Sequence, residues 1–107
     1  MIVDAIEDKK GEDIVLLDIR GLTPFADYFV IASGTSERQL RALTDGVQEA
    51  TKKGQRRAPR RVEGRSETGW VLLDYSDVVV HLFSPEQRVY YKLEALWREG
   101  KIVLRIQ

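Results

Sequence analysis

Residues 70–83 read WVLLDYSDVVVHLF, two short apolar runs separated by Tyr75, Ser76 and Asp77. Runs rich in β-branched and aromatic residues with a brief polar break between them are typical of an antiparallel β-hairpin. Side chains alternate between the two faces of a strand. In the second run this alternation predicts a mixed face and an aliphatic face, made of Val79, His81 and Phe83 and of Val78, Val80 and Leu82, respectively. The aliphatic face suits a core, and the imidazole indicates that the other face is not fully sealed.

The segments around the hairpin predict more strands. Residues 13–19 (DIVLLDI) and 28–32 (YFVIA) are almost continuously apolar, as in central strands that are covered on both faces. The glycine, proline and aspartate residues at 21–27 predict a loop between them. Residues 55–65 are the most basic part of the chain, and we expect a polar loop that leads into a short, exposed edge strand. Residues 102–106 either add an edge strand or extend without pairing.

Three helices are predicted from capping signals and apolar spacing. The first covers residues 1–10, with Gly11 as a left-handed C-terminal cap. The second begins after Thr35 or Ser36, either of which is a suitable N-cap, and it ends near residues 53–54. The third begins at Ser84, and its apolar stripe consists of Val89, Tyr90, Leu93, Leu96 and Trp97. Together these elements predict an α+β fold, a mixed β-sheet with flanking helices, in a single domain that spans residues 1–107.

The composition of the 107 residues excludes several classes of protein. There is no cysteine, so disulfides, thiolate zinc sites and cysteine nucleophiles are absent, and the single histidine excludes two-histidine metal motifs. Lys plus Arg and Asp plus Glu both number 17, and this balance argues against nucleic-acid binding by overall electrostatic attraction. No apolar run reaches the ~20 residues of a membrane span, and acidic residues near the N-terminus do not fit a targeting peptide. We therefore expect a cytoplasmic protein without a membrane segment.

Two sets of polar residues are typical of catalytic or metal sites, but each also has a structural explanation. The turn SGTS at 33–36 would bind phosphate through free N–H groups, or it is an ordinary capped helix start without the lysine of a P-loop. Asp74 and Asp77, with Glu63, would hold Mg²⁺ if the fold brought them together. Aspartates that bracket a hairpin are also favoured because their side chains bond to nearby backbone. In both cases the structural explanation is favoured.

The hairpin and the basic stretch suggest contacts with a partner. His81 has no evident nucleophile beside it, which favours a structural or contact role over catalysis. Trp70 is either a core residue or part of an aromatic platform with His81 and Phe83, and such platforms are typical of protein interfaces. The basic residues at 52–65 either contact phosphate or form a solvated loop, and no aromatic residue lies among them to stack on bases.

Four segments resemble the ribosomal silencing factor family, also called the Iojap family: DYFVIASGTSERQ (27–39), VEG (62–64), WVLLDYSDVVVHLF (70–83) and YYKLEALW (90–97). The block W-x-x-x-D-x-x-D-V-x-V-H is the most specific of them. The resemblance runs in unbroken order through about residue 98, and residues 99–107 are a tail to which nothing is carried over. Ser76 stands where the family most often has glycine, and this difference predicts an ordinary turn conformation.

The resemblance implies a nucleotidyltransferase-like fold without enzymatic activity and without a cofactor. It further implies a translational repressor that binds the large ribosomal subunit through its protein L14 and sterically blocks joining of the small subunit. Strand alternation then assigns partner-binding roles to six residues of the hairpin, which are Trp70, Asp74, Tyr75, Asp77, His81 and Phe83. No residue is assigned a catalytic or metal-binding role.

Two other functions stay open at this point. One is an active nucleotidyltransferase that uses residues 33–36 for phosphate and Glu63, Asp74 and Asp77 for Mg²⁺. The other is an RNA-binding module built on the basic residues of 52–65. A repressor docked on L14 would also have a basic loop available for peripheral rRNA contact, through Arg56, Arg57, Arg60 and Arg61. An uncovered sheet face would favour a homodimer.

Overall fold

The computed structural model describes residues 2–91 and 100–106. Within them the helices are α1 (Ile2–Asp8), α2 (Glu37–Gln55) and α3 (Pro85–Tyr91), and a 3₁₀ turn covers Ser66–Thr68. The strands are β1 (Glu12–Asp18), β2 (Tyr28–Ser33), β3 (Arg61–Arg65), β4 (Trp70–Asp74), β5 (Val78–Phe83) and β6 (Lys101–Ile106). No helix of the described residues is long and apolar enough to cross a membrane.

The strands form one mixed sheet in the order β3-β4-β5-β2-β1-β6. β2 and β5 are parallel, and every other neighbouring pair is antiparallel. The predicted α+β fold with a mixed sheet and flanking helices is therefore confirmed, whereas the nucleotidyltransferase-like label stays a prediction. The exposed edge strand expected after the basic loop is β3, and the residues at 102–106 pair with β1 as part of β6.

One face of the sheet packs against α1 and α2. The apolar stripe of α2, which includes Leu40, Leu43 and Val47, is fully buried there. It joins Val80 and Leu82 of β5 in the main core, so the face predicted to be aliphatic is the face under the helices. The predicted stripe of the third helix cannot be compared in the same way, because the side chains of Tyr90, Leu93, Leu96 and Trp97 lie outside the described residues; its remaining member, Val89, is exposed.

The opposite face of the sheet is covered only in part, and we call it the open face. A smaller buried cluster lies on it and includes Val15, Leu17, Ile31 and Phe83. Three further apolar side chains pack against this cluster and are only half-buried: Phe29, Trp70 and Val79. The expectation that the His81 side of β5 lies on an incompletely sealed face is confirmed.

The start of α2 agrees with the capping signals in the sequence, but the end of α1 does not. Ser36 is the N-cap of α2, and its Oγ accepts a hydrogen bond from the backbone N–H of Gln39 at 3.0 Å. At the end of α1, however, the left-handed residue is Lys10, with φ of 65°, and the prediction that Gly11 forms this cap was wrong. Position 11 requires glycine for a different reason, because a Cβ there would collide with the side chain of Ile6.

The β4–β5 turn adopts a strained conformation at Ser76. Its φ is 75°, in the left-handed region that residues with a Cβ rarely enter, so the predicted ordinary turn conformation was wrong. The turn is closed by a hydrogen bond from Tyr75 N to Val78 O and by one from Ser76 N to the Asp74 carboxylate. These bonds hold the backbone in this shape although serine does not favour it.

We expect Ser76→Gly to stabilise the fold by about 0.5–1 kcal/mol, because glycine adopts a positive φ without the steric penalty of a Cβ. Urea unfolding at neutral pH measures the change. Ser76→Ala is the matched control: it removes the hydroxyl, whose distance to Arg60 Nη1 is a long 3.4 Å, but it keeps the Cβ. Equal stability of the glycine and alanine variants would show that the backbone at this turn stores no strain.

Candidate partner-binding surface

The hairpin places a row of rings on the open face. Strand alternation and register set Trp70 opposite Phe83 and Leu72 opposite His81, while Val71 and Leu73 point to the helices. The Trp70 and Phe83 rings stack with centroids 6.4 Å apart, and the His81 and Phe83 rings stack at 6.0 Å. Phe29 of β2 meets His81 edge-on at 5.0 Å. We call Trp70, Phe83, His81 and Phe29 the aromatic row.

The members of the aromatic row differ in exposure. Phe83 and His81 are 1% and 7% exposed, whereas Trp70 and Phe29 are half-buried. Phe83 therefore supports the row from beneath, and Trp70 offers part of its indole to solvent. This arrangement confirms that Trp70 lies across the hairpin from His81 and Phe83. It also shows that a direct contact role for Phe83, as predicted, does not fit its burial in this structure.

A groove of about 320 Å³ lies beside the row. It is lined by apolar side chains of the loop at 21–27 and of β2, β4 and β5, which are Phe25, Phe29, Leu72 and Val79. Its polar lining includes His81, Arg60, Arg61 and Asp74. Phe25 is 84% exposed, the most exposed large apolar side chain of the described residues. Sequence reasoning missed Phe25, although an aromatic residue inside the polar loop at 21–27 was a signal that could have indicated it.

His81 is the polar residue of this groove that burial isolates most strongly. Among the described residues neither Nδ1 nor Nε2 has a hydrogen-bond partner. Burial disfavours the charged imidazolium and lowers the pKa of His81 to about 4. The imidazole is therefore neutral at physiological pH, with one N–H donor and one nitrogen acceptor left unused.

Tyr75, another predicted contact residue, lies in the core. It is 3% exposed, and its hydroxyl forms a hydrogen bond of 2.9 Å with Thr51 Oγ1 of α2. The guanidinium of Arg57 lies over the ring at 5.5 Å from its centroid. Burial raises the pKa of the Tyr75 hydroxyl. A direct contact role does not fit this position; the side chain anchors the hairpin to α2 because the residues of β4 and its extension alternate inward at 71, 73 and 75.

The two hairpin carboxylates point to opposite sides of the sheet. Asp74 lines the groove on the open face and lies 3.5 Å from Arg61 Nη2. Asp77 lies on the helix side, where its Oδ1 accepts a hydrogen bond from Arg57 Nη2 at 2.6 Å; this bond lowers the pKa of Asp77. Glu63 pairs with Arg61 at 3.6 Å. Among the described residues no three acidic or histidine side chains converge as metal ligands, so the Mg²⁺ site of the nucleotidyltransferase alternative is not assembled.

The turn at 33–36 uses its backbone donors within the protein. The N–H of Gly34 donates to the Phe83 carbonyl at 2.9 Å, and the N–H of Thr35 donates to Gln39 Oε1 at 2.6 Å. The side-chain Nε2 of Gln39 donates to the backbone carbonyl of Lys10 at 2.6 Å, and this bond connects the end of α1 to the start of α2. The N–H groups of Gly34, Thr35 and Gln39 are thus bonded within the protein, which supports the structural explanation for this turn.

The basic stretch does not form one continuous patch. Arg57 is turned to the helix side by Asp77, and Arg56 ends α2. Arg60 and Arg61 instead line the groove on the open face, where Arg61 is paired with acidic side chains. The four arginines predicted to contact rRNA are thus divided between two sides of the sheet.

Comparison with known proteins gives one consistent result. Residues 1–106 match the family model described as "Ribosomal silencing factor during starvation". A relative named Ribosomal silencing factor RsfS, from Halalkalibacterium halodurans, is 39% identical over 103 residues, which is 96% of this chain and 87% of the relative. A mouse relative named Mitochondrial assembly of ribosomal large subunit protein 1 is 33% identical over 99 residues, which is 91% of this chain and 43% of the relative. The crystal structure of a protein from Chromobacterium violaceum matches with a TM-score of 0.85 and 41% identity, over 91% of this chain and 80% of that one. The chain therefore belongs to the ribosomal silencing factor family.

Proposed function

We propose that this chain is a translational repressor that binds the large ribosomal subunit through its protein L14 and blocks joining of the small subunit. Family membership supports a role in ribosome silencing or assembly, and the name of the mouse relative refers to the large subunit. The resemblance of the hairpin block to the family supports L14 as the receptor. On this proposal the protein acts in the cytoplasm, where it meets the subunits before they join.

The observation that carries the proposal is the aromatic row on the open face. A half-buried tryptophan supported by a stacked, buried phenylalanine is the kind of rigid anchor on which protein interfaces depend. A standard interface uses about 800 Å² of each partner, which is about an eighth of the 6580 Å² surface of this chain. Trp70, the groove and the exposed Phe25 lie together on this face and supply apolar surface for such a contact.

The mechanism needs no chemical step. If the docked chain occupies the surface that the small subunit would contact, the two bodies exclude each other. A free concentration of factor about 100 times its Kd then disfavours joining by about 2.7 kcal/mol, since the large subunit must release the factor first. The named relatives are silencing or assembly factors, and the separation of Asp74 from Asp77 supports a non-enzymatic role.

The experiment that tests this proposal is a titration of the purified chain into a mixture of large and small subunits, analysed on sucrose gradients. We expect joined ribosomes to decrease as the large subunit is occupied, and the chain to migrate with the large subunit alone. Migration with intact joined ribosomes, without loss of joining, would contradict steric exclusion.

A photo-crosslinker tests the receptor in the same complexes. Placed at position 72 on the open face, it should capture L14. The matched control is position 62, which pairs with Leu73 and therefore lies on the other face of the sheet. Capture of a different ribosomal protein from position 72 would contradict the choice of L14. A homodimer and rRNA contact by the basic loop stay predictions beside this proposal.

A further inference from the structure

The groove beside the aromatic row has an apolar lining and one isolated polar group in its floor. His81 is more than nine-tenths buried, and its two nitrogens have no hydrogen-bond partner among the described residues. A buried polar atom without a partner destabilises a fold by about 1–3 kcal/mol, so native proteins seldom keep one without a reason. The other residues of β5 on the same face, Val79 and Phe83, are apolar, so the strand does not itself require a polar residue at position 81.

Building on the proposed function, we infer that this groove receives a side chain of the ribosomal partner protein whose tip is a neutral hydroxyl or carboxamide, and that His81 selects it by hydrogen bonding. The volume of about 320 Å³ is sufficient for one or two side chains. The apolar lining would bury the body of the inserted side chain, and the imidazole would exchange a hydrogen bond with its tip.

The charge of the surroundings favours a neutral group over an ion. The charged side chains that line the groove are Arg60, Arg61 and Asp74, and Arg61 and Asp74 already approach each other at 3.5 Å. A carboxylate or ammonium carried to the floor would lose its hydration without a counter-ion beside the imidazole. A hydroxyl or carboxamide loses less hydration and can match the single donor and single acceptor of a neutral imidazole.

Access to the imidazole requires only local movement. Its nitrogens are covered by neighbouring side chains in the isolated chain, but the adjacent Phe29 and Leu72 are half-buried. A change of side-chain rotamer at Phe29 or Leu72 would uncover the imidazole. Such changes are common when two proteins bind, whereas backbone shifts are rarer. We therefore expect the groove to open on docking without rearrangement of the sheet.

The test compares His81→Leu and His81→Gln in binding to purified large subunits. The leucine variant keeps the bulk and removes both polar atoms, and we expect it to be at least as stable as the unaltered chain in urea but to bind about 10-fold more weakly or worse. The glutamine variant keeps a donor and an acceptor, and we expect it to recover part of the lost affinity. Val62→Thr, on the opposite face, is the control and should bind normally.

The outcomes separate this inference from the proposed function. If the unaltered chain does not bind large subunits, or if Trp70→Ala binds normally, the proposed function or its placement fails, and the inference fails with it. If Trp70→Ala weakens binding but His81→Leu does not, only the inference is overturned. The inference is also overturned if His81→Gln recovers none of the affinity lost in His81→Leu. That result would mean that binding depends on the shape of the ring and not on its hydrogen bond. A loss in His81→Leu that depends steeply on salt would point to a phosphate or another ion as the occupant and would equally contradict a neutral tip.

Discussion

Replacing Trp70 by alanine is expected to weaken binding to the large ribosomal subunit by about 2 kcal/mol or more, roughly 30-fold in Kd. The indole lies at the edge of the aromatic row, half-buried and stacked on Phe83, so it presents a large rigid surface that a partner can cover. Its removal would leave a gap in the proposed interface. Co-sedimentation of the purified variant with large subunits, over a range of subunit concentrations, measures the loss.

Two control variants show whether the effect of Trp70→Ala is specific. Trp70→Phe keeps a ring in stacking distance of Phe83 and should retain much of the affinity, while Val62→Thr changes an apolar residue that is 47% exposed on the other face and should have no effect. The alanine variant must also unfold in a single urea transition, because Trp70 packs against a buried cluster. Undiminished binding by a folded Trp70→Ala chain would mean that the open face is not the ribosome-binding surface.

Lowering the pH from about 7.5 to about 5 is expected to destabilise the fold by about 2 kcal/mol through His81 alone. The folded protein holds the imidazole neutral, with a pKa of about 4, whereas the unfolded chain takes up a proton near the ordinary value of 6.5. Between these two pKa values the unfolded state binds more protons, so stability falls as the pH falls, by about 1.4 kcal/mol per pH unit. Urea midpoints at closely spaced pH values give this slope directly.

The window above about pH 5 isolates the histidine from the carboxylates. The acidic groups with shifted pKa values, such as Asp18, Glu49 and Asp77, are held below their ordinary values by basic partners, so they lose their contribution only in more acidic solution. His81→Leu should abolish the slope between about pH 7.5 and 5. The same slope in both chains would show that the imidazole is not kept neutral, for instance because Asp74 in the same groove offsets its charge.

The incorrect predictions have a common physical origin. Sequence patterns report which residue types are frequent in a conformation, but the conformation itself depends on neighbours in space. Ser76 was expected in an ordinary turn because it is not glycine, yet the pairing of β4 with β5 imposes a left-handed residue on whatever stands there. Gly11 was expected to cap α1 by its own flexibility, whereas the structure requires glycine there because a Cβ would collide with the side chain of Ile6.

The hairpin assignments divide in the same way. Alternation placed Trp70 and His81 on the open face. Tyr75 was also predicted to be a contact residue, but it continues the inward alternation of Val71 and Leu73, and the structure buries it against Thr51. The spacing of Asp74 and Asp77 in the sequence did not show whether their carboxylates converge, because the conformation of the turn between them decides this. Phe25 was missed because its contribution to the groove requires the loop at 21–27 to fold toward β4 and β5.

The amino-acid sequence by itself determined the strands, the helix starts, the mixed α+β class and the family, because apolar periodicity, capping residues and a specific block of residues act over short stretches of chain. The tertiary structure alone decided which groups meet: the aromatic row, the groove with its unpartnered imidazole, the two separate arginine–aspartate pairs and the buried tyrosine. The physical reason is that these contacts join residues far apart in the chain, and their geometry follows from the order and register of the strands in the sheet, which no local pattern encodes.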